Sequence, residues 1–116
     1  MTDYTDAEYW SSLVKMSISR YFILHALSTG PKHGYEIGKW VGEFTDGFCT
    51  PSEGALYPVL KEMEKGGYVE SVTETVSGRL RKTYTLNEKG YEAYNKAVDA
   101  WTRTALLILK SRGLAE

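Results

Sequence analysis

A chain of 116 residues that is 42% apolar fits one domain with one modest core, and its single cysteine, Cys49, excludes any intramolecular disulfide. With His25 and His33 as the only histidines a tetrahedral zinc site is hard to assemble, and no stretch nears the ~20 apolar residues of a membrane helix, so the chain reads as cytoplasmic, with no cofactor, metal or membrane partner. The net charge of −1 weighs against nucleic acid, which usually leaves a basic footprint on its partners.

In chain order, residues 1–15 form an acidic extension that carries Tyr9 and Trp10 and has no apolar run of the kind found in signal peptides. Residues 16–28 read as a helix with Met16, Ile23, Leu24 and Leu27 along one face and Ile18, Tyr21 and Phe22 on another, a pattern that needs two packing partners. Thr29-Gly30-Pro31 stops it. His33 to Phe44 forms the next helix, with Ile37, Trp40, Val41 and Phe44 at helical spacing. Gly34, Gly38 and Gly42 recur every fourth position there, as expected where another backbone comes close.

Thr45-Asp-Gly-Phe-Cys49 reads as a turn. Thr50-Pro51-Ser52-Glu53 then offers a capping box, with Thr50 as N-cap, proline at the first helical position and glutamate at the third. The third helix has Leu56, Leu60 and Met63 as its core stripe and stops at Gly66-Gly67. Pro58 implies that the helix is kinked or that its regular part starts near Leu56. Residues 68–76 and 80–86 are β-branched and alternating around Ser77-Gly78, a hairpin signature. Asn87 caps a last helix running to Ser111, whose stripe Tyr91, Tyr94, Val98, Trp101, Ala105 and Ile108 requires a partner helix. Leu106, Leu107 and Leu109 add a second apolar face that a monomer of this size cannot cover.

The order of helix, helix, helix, hairpin and helix is that of a winged helix-turn-helix, an α+β and mostly helical fold whose third helix enters the major groove. The segments His33-Gly-Tyr-Glu-Ile37, Gly54-Ala-Leu-Tyr-Pro-Val-Leu-Lys-Glu-Met-Glu-Lys-Gly-Gly-Tyr-Val69 and Gly78-Arg-Leu-Arg-Lys-Thr-Tyr-Thr-Leu-Asn-Glu-Lys-Gly90 resemble, in order and spacing, the PadR family of winged helix-turn-helix regulators. The resemblance covers roughly residues 20 to 101. The chain reads as three units: a helical extension at 1–15, a winged helix-turn-helix DNA-binding domain at 16–86 and a C-terminal dimerisation helix at 87–116.

Off its core stripe the third helix carries Gly54, Pro58, Lys61 and Lys65, with Ser52, Ala55 and Tyr57 near its start. Small residues there allow close approach to base edges, and the lysines reach toward phosphates. Taken alone this is also what an ordinary solvated face looks like. Arg79, Arg81 and Lys82 crowd the hairpin tip, so local charge serves where net charge does not. The resemblance implies that Gly-Arg-x-Arg-Lys is the wing, with Leu80 where the family commonly has proline, and that His33 and Tyr35 open the second helix toward a phosphate.

As a catalytic base His33 lacks a nucleophile and an orienting group, and Cys49 lacks a resolving cysteine, so both read as structural. The aromatic residues exceed what a small core needs. Dimer core is the plain reading of Tyr94, Val98 and Trp101, with Trp10 of the extension. The resemblance adds a pocket between protomers for a flat aromatic effector. The expected function is that of a homodimeric repressor on a palindromic double-stranded operator, released by such a ligand. The competing reading is a winged-helix protein-interaction module, favoured by the acidic pI and by Ala55 where the family often has threonine.

Overall fold

The computed structural model describes residues 1–116. Four helices, α1 (Ala7–Ser28), α2 (Gly34–Phe44), α3 (Glu53–Lys65) and α4 (Glu88–Ser111), surround a small sheet of β1 (Lys32–His33), β2 (Val69–Val76) and β3 (Arg79–Leu86). The sheet is antiparallel in the order β1-β3-β2, with Val69 opposite Leu86 and Val76 opposite Arg79. This is the expected winged helix-turn-helix, with one added feature: Lys32 and His33 pair with Tyr84 and Thr83 and make the link between α1 and α2 a third strand.

Chain punctuation follows local chemistry. Asn87 caps α4 by accepting the Gly90 N–H at 2.9 Å. At the end of α3, Gly67 takes φ +82° and the Tyr68 N–H reaches back to the Met63 carbonyl at 2.9 Å, so Gly66-Gly67 closes the helix with a Schellman pair. Ser77 and Gly78 both have positive φ, at 51° and 78°, which is the type I′ turn whose twist matches its strands. Thr45 staples its turn with a hydroxyl that donates to the Val41 carbonyl and accepts the Cys49 N–H.

Four expectations are corrected. α1 starts at Ala7, capped by the Asp6 carboxylate, so the extension flows into the first helix without a break at residue 16. Ser52, not Thr50, caps α3 by accepting the Ala55 N–H at 3.3 Å; Thr50 packs its side chain against Gly42 instead. Helical structure runs through Pro58 from Glu53, so it does not wait until Leu56. The carbonyl of Gly54, deprived of its donor by that proline, sits on an exposed residue where water can reach it. Finally, Met16 and Phe44 are exposed although each falls on its helix's apolar stripe.

The core is compact: Ile23, Leu24 and Leu27 of α1, Ile37 and Val41 of α2, Leu56 and Leu60 of α3, and Val69, Tyr84 and Leu86 of the sheet. Of the three glycines of α2, only Gly38 meets backbone, the Pro51 carbonyl; Gly34 lies under the Tyr57 ring and Gly42 under Thr50. α4 contributes only Gly90 to the buried set. Past its first turns it leaves the domain: Leu106, Leu107, Ile108 and Leu109, which point around the full circumference of the helix, are 53%, 54%, 59% and 41% exposed.

Candidate nucleic-acid interface

The recognition face begins with the cap of α3. Leu56 and Leu60 are buried, which turns Gly54, Ala55, Tyr57, Pro58, Lys61 and Lys65 outward. Ser52 stands at the N-terminal end of the same helix, where free backbone N–H groups and the helix dipole favour an anion. Lys61 and Lys65 make no ion pair, so their charge is unopposed.

The wing stands beside this helix. A groove of about 450 Å³ lies there, lined by Tyr57 of α3, by Arg79, Leu80, Arg81 and Lys82 of the wing, and by His33 and Tyr35 at the start of α2. Residues expected separately from three parts of the sequence thus line one concavity. Tyr57 owes its position to Gly34: a Cβ there would fall 2.5 Å from the Tyr57 ring, so the bare backbone lets the ring lie down on the start of α2. Tyr35 itself is 66% exposed, free to meet a ligand from the rim.

His33 is the hinge between the sheet and α2. Its backbone N–H donates to the Glu36 carboxylate at 2.9 Å, its Nδ1 meets the Thr83 hydroxyl at 3.0 Å, and its Nε2 lies 3.4 Å from Glu36. With both ring nitrogens held in this way it orients the start of α2. Cys49 is buried, and that burial pushes its thiol pKa up, the opposite of a reactive thiolate.

The three wing cations differ. Lys82 Nζ lies 3.1 Å from Glu64 Oε1 of α3, and the same carboxylate accepts the Ser71 hydroxyl. The Ser71 and Lys82 hydrogen bonds hold the Glu64 carboxyl below its usual range, and Glu64 in turn raises Lys82. Lys82 therefore ties the wing to α3 before it meets any phosphate. Arg79 and Arg81 make no ion pair, and alternation along β3 puts them together on the face opposite Lys82. Arg81 also lines a second groove along α2, where Lys32 and Lys39 alternate with the carboxylates of Glu36 and Glu43, so the charge there is mixed. The Glu64–Lys82 pair was not legible in the sequence, because 18 residues separate its members and register alone brings them together.

The four residues expected to hold an aromatic ligand are not gathered in one place within the chain. Trp10 packs with Tyr4 and Tyr9, its indole N–H donating to the Tyr4 carbonyl at 2.8 Å. Tyr94 joins Tyr21 and His25 between α1 and α4. Val98 lines a shallow groove on α4 with Leu106 and Leu107, away from half-buried Trp101. His25 is the residue that sequence reasoning passed over: its partner Tyr94 is 69 positions away, and no local signal links them.

No helix of the chain is long and apolar enough to cross a membrane. Residues 23–96 match the model of the Transcriptional regulator PadR-like family, more than half of the chain. The chain is 30% identical over 76 residues to the Negative transcriptional regulator PadR of Bacillus subtilis, covering 65% of this chain and 42% of that protein. It thus spans less than half the length of the curated relatives it matches. Among solved structures, a transcriptional regulator from Clostridium thermocellum superposes with a TM-score of 0.75 at 27% identity, covering 85% of this chain and 96% of that one. Bacillus subtilis PadR in complex with operator DNA gives 0.63 at 27% identity, covering 70% of this chain and 46% of that one. A winged helix-turn-helix whose helix, wing and second-helix start share one groove, and whose residues 23–96 match that model, leads to one assignment: the chain belongs to the PadR-like family of transcriptional regulators.

Proposed function

We propose that this chain is a repressor that binds a palindromic operator as a homodimer. The observation that carries the reading is the shared groove, where Tyr57 of the exposed face of α3 and the unpaired guanidinium groups of Arg79 and Arg81 line one concavity with His33 and Tyr35. In this reading Ser52, Gly54, Ala55, Tyr57 and Lys61 meet the major groove. The wing follows the adjacent backbone, with Arg79 and Arg81 on phosphates or in the minor groove. Lys82 contributes after exchanging Glu64 for phosphate. The relative solved with operator DNA supports this use of the fold.

Dimerisation falls to α4. Its exposed leucines and Ile108 demand a cover, and a second copy crossing them places two α3 helices on successive major grooves, about 34 Å apart. Repression follows from occupying a promoter. Release by a flat aromatic effector requires a seat between protomers, where Trp101, Val98, Tyr94 and Trp10 of two chains could meet, and works by shifting the dimer to a spacing that the operator does not fit.

The competing reading, a winged-helix module for protein partners, rests on the net charge of −1 and on the Lys82–Glu64 pair. Fluorescence anisotropy decides between them, using duplexes selected by the protein from a randomised pool and measured at two salt concentrations. Repressor-type binding gives selection of a two-fold symmetric site and an affinity that falls steeply with salt. Failure to enrich any duplex at low salt refutes it.

A further inference from the structure

Where α1 meets α4, one short polar tie crosses a mostly apolar contact. The Tyr94 hydroxyl and His25 Nδ1 are 2.6 Å apart. Longer polar contacts join the same two helices: the Tyr94 hydroxyl also faces that of Tyr21, and the Tyr91 hydroxyl reaches the Ser28 carbonyl at 3.5 Å. The imidazole is gripped from three elements: Tyr21 of α1 stacks on it within 4° of parallel, Trp40 and Phe44 of α2 lie 5.3 and 5.1 Å away by ring centroid, and Tyr94 of α4 lies 5.8 Å away. One side chain therefore touches the helix that braces α3 and the helix that leaves the domain.

The place matters because α4 has little else to aim it. Its fixed part is Gly90 against the Tyr68 carbonyl, Asn87 and Lys89 bonded to the carbonyls of Gly67 and Gly66, and Tyr94 and Ala97 packed on the core; further along, the leucines are bare. From Tyr94 to Ser111 the helix extends about 25 Å at ~1.5 Å per residue, so a ~5° rotation at Tyr94 displaces its end by about 2 Å. In a two-fold dimer both arms move, and the separation of the reading helices changes by more.

We propose that Tyr94 and His25 form a positioning latch that sets the angle between α4 and the winged-helix domain, and so the half-site spacing of the operator, and that protonation of His25 loosens it. The proposal rests on the dimeric DNA-binding reading above. With its proton on Nε2, neutral His25 accepts the Tyr94 O–H through Nδ1. The imidazolium has only N–H donors, so that bond must reverse, with Nδ1–H donating to the phenol oxygen and the Tyr94 hydroxyl hydrogen turned out of the contact. It also puts a charge among rings with no carboxylate bonded to it: the titratable groups facing it are Tyr21 and Tyr94, and α2 offers only Trp40 and Phe44. Its place in the last turn of α1 favours the charge, yet burial outweighs that and lowers its pKa from the ordinary value. The latch is thus closed at neutral pH and opens on acidification.

The test uses the full chain and duplexes selected from a randomised pool at pH 7.5, rebuilt with their half-sites moved by one and two base pairs. Anisotropy gives the ratio of affinities between selected and shifted spacing. That ratio cancels any effect of His33, which acts on each half-site alike. Wild type should prefer the selected spacing about tenfold, and the preference should shrink progressively, about fivefold in all, as the pH is lowered from 7.5 to the most acidic value at which circular dichroism and sedimentation still show a folded dimer. Tyr94→Phe, which removes only the hydroxyl, should show the reduced preference at both pH values with single half-site affinity intact. His25→Gln, which can still accept from Tyr94 but does not titrate, should keep the preference at both. Wild-type behaviour in Tyr94→Phe, or a retained pH response in His25→Gln, overturns the latch. A failure to select any duplex, or a monomer by sedimentation, instead overturns the dimeric reading beneath it.

Discussion

Gly90→Ala probes how firmly α4 is seated on the winged-helix domain. A Cβ at this position would lie 2.2 Å from the Tyr68 carbonyl oxygen and 2.5 Å from Leu86 Cδ1, where ordinary contacts begin above 3 Å. Neither neighbour can yield cheaply. Tyr68 is held on one side by its N–H bond to Met63 at the end of α3 and on the other by the start of β2, and its carbonyl also accepts the Asn87 N–H at 3.2 Å. Leu86 is 5% exposed in the core. Overpacking costs typically ~1–3 kcal/mol and a lost hydrogen bond about 1, against a gain of at most ~1 from replacing glycine in a helix. With the full glycine gain counted, the net is a loss of about 1–3 kcal/mol, or a fall in Tm of about 4–12 °C for a chain of this size. Circular dichroism melts at fixed protomer concentration measure it, since dimerisation makes Tm concentration-dependent. Gly34→Ala is the internal control: its Cβ would also clash, but with the ring of Tyr57, the far end of a movable and partly exposed side chain. It should cost under ~1 kcal/mol while displacing that ring from the groove. A Gly90→Ala protein melting within 2 °C of wild type, or a Gly34→Ala protein destabilised as much, would show that the α4 contact is not what fixes this glycine.

Arg79→Ala and Arg81→Ala should each weaken all DNA sequences alike and lower the salt slope by about 0.9 per phosphate contact, doubled in a symmetric dimer, whereas unchanged slopes in both remove the wing from the interface. Ala55→Trp should abolish operator binding in a gel shift with sedimentation unchanged, because the side chain is exposed in the first turn of α3, takes no part in its cap and is absent from the core; normal binding would mean that another face reads DNA. Leu107→Glu with Leu109→Glu should give a folded monomer by sedimentation, since burying these side chains against a partner is worth several kcal/mol at ~25 cal/mol per Å². A dimer of undiminished affinity in that variant refutes the role given to the end of α4. Titration with planar aromatic compounds should quench tryptophan fluorescence through Trp101, so Trp101→Ala should lose the response and keep DNA binding; no response in wild type ends the effector reading.

Much of this protein is written locally. The caps at Asn87, Gly66-Gly67 and Ser77-Gly78 work through bonds spanning a few residues, and the apolar periodicities of α2, α3 and α4 report faces of single helices, so they survive without knowledge of the rest. The order of elements and the three family segments carried the fold. Local signals failed where two residues could serve equally: Thr50 and Ser52 are both good caps, and the choice was made by Thr50 packing on Gly42, across a loop. Periodicity likewise marked Met16 and Phe44 as apolar without saying whether anything would cover them. Other features belong to tertiary structure alone. β1 exists because two residues meet β3, the Lys82–Glu64 pair depends on register, and the Tyr94–His25 contact joins helices that are adjacent only once the sheet has folded. Such contacts close long loops, and the geometry that repays the entropy of closing them arises from the packing of all elements together, which no window of sequence contains.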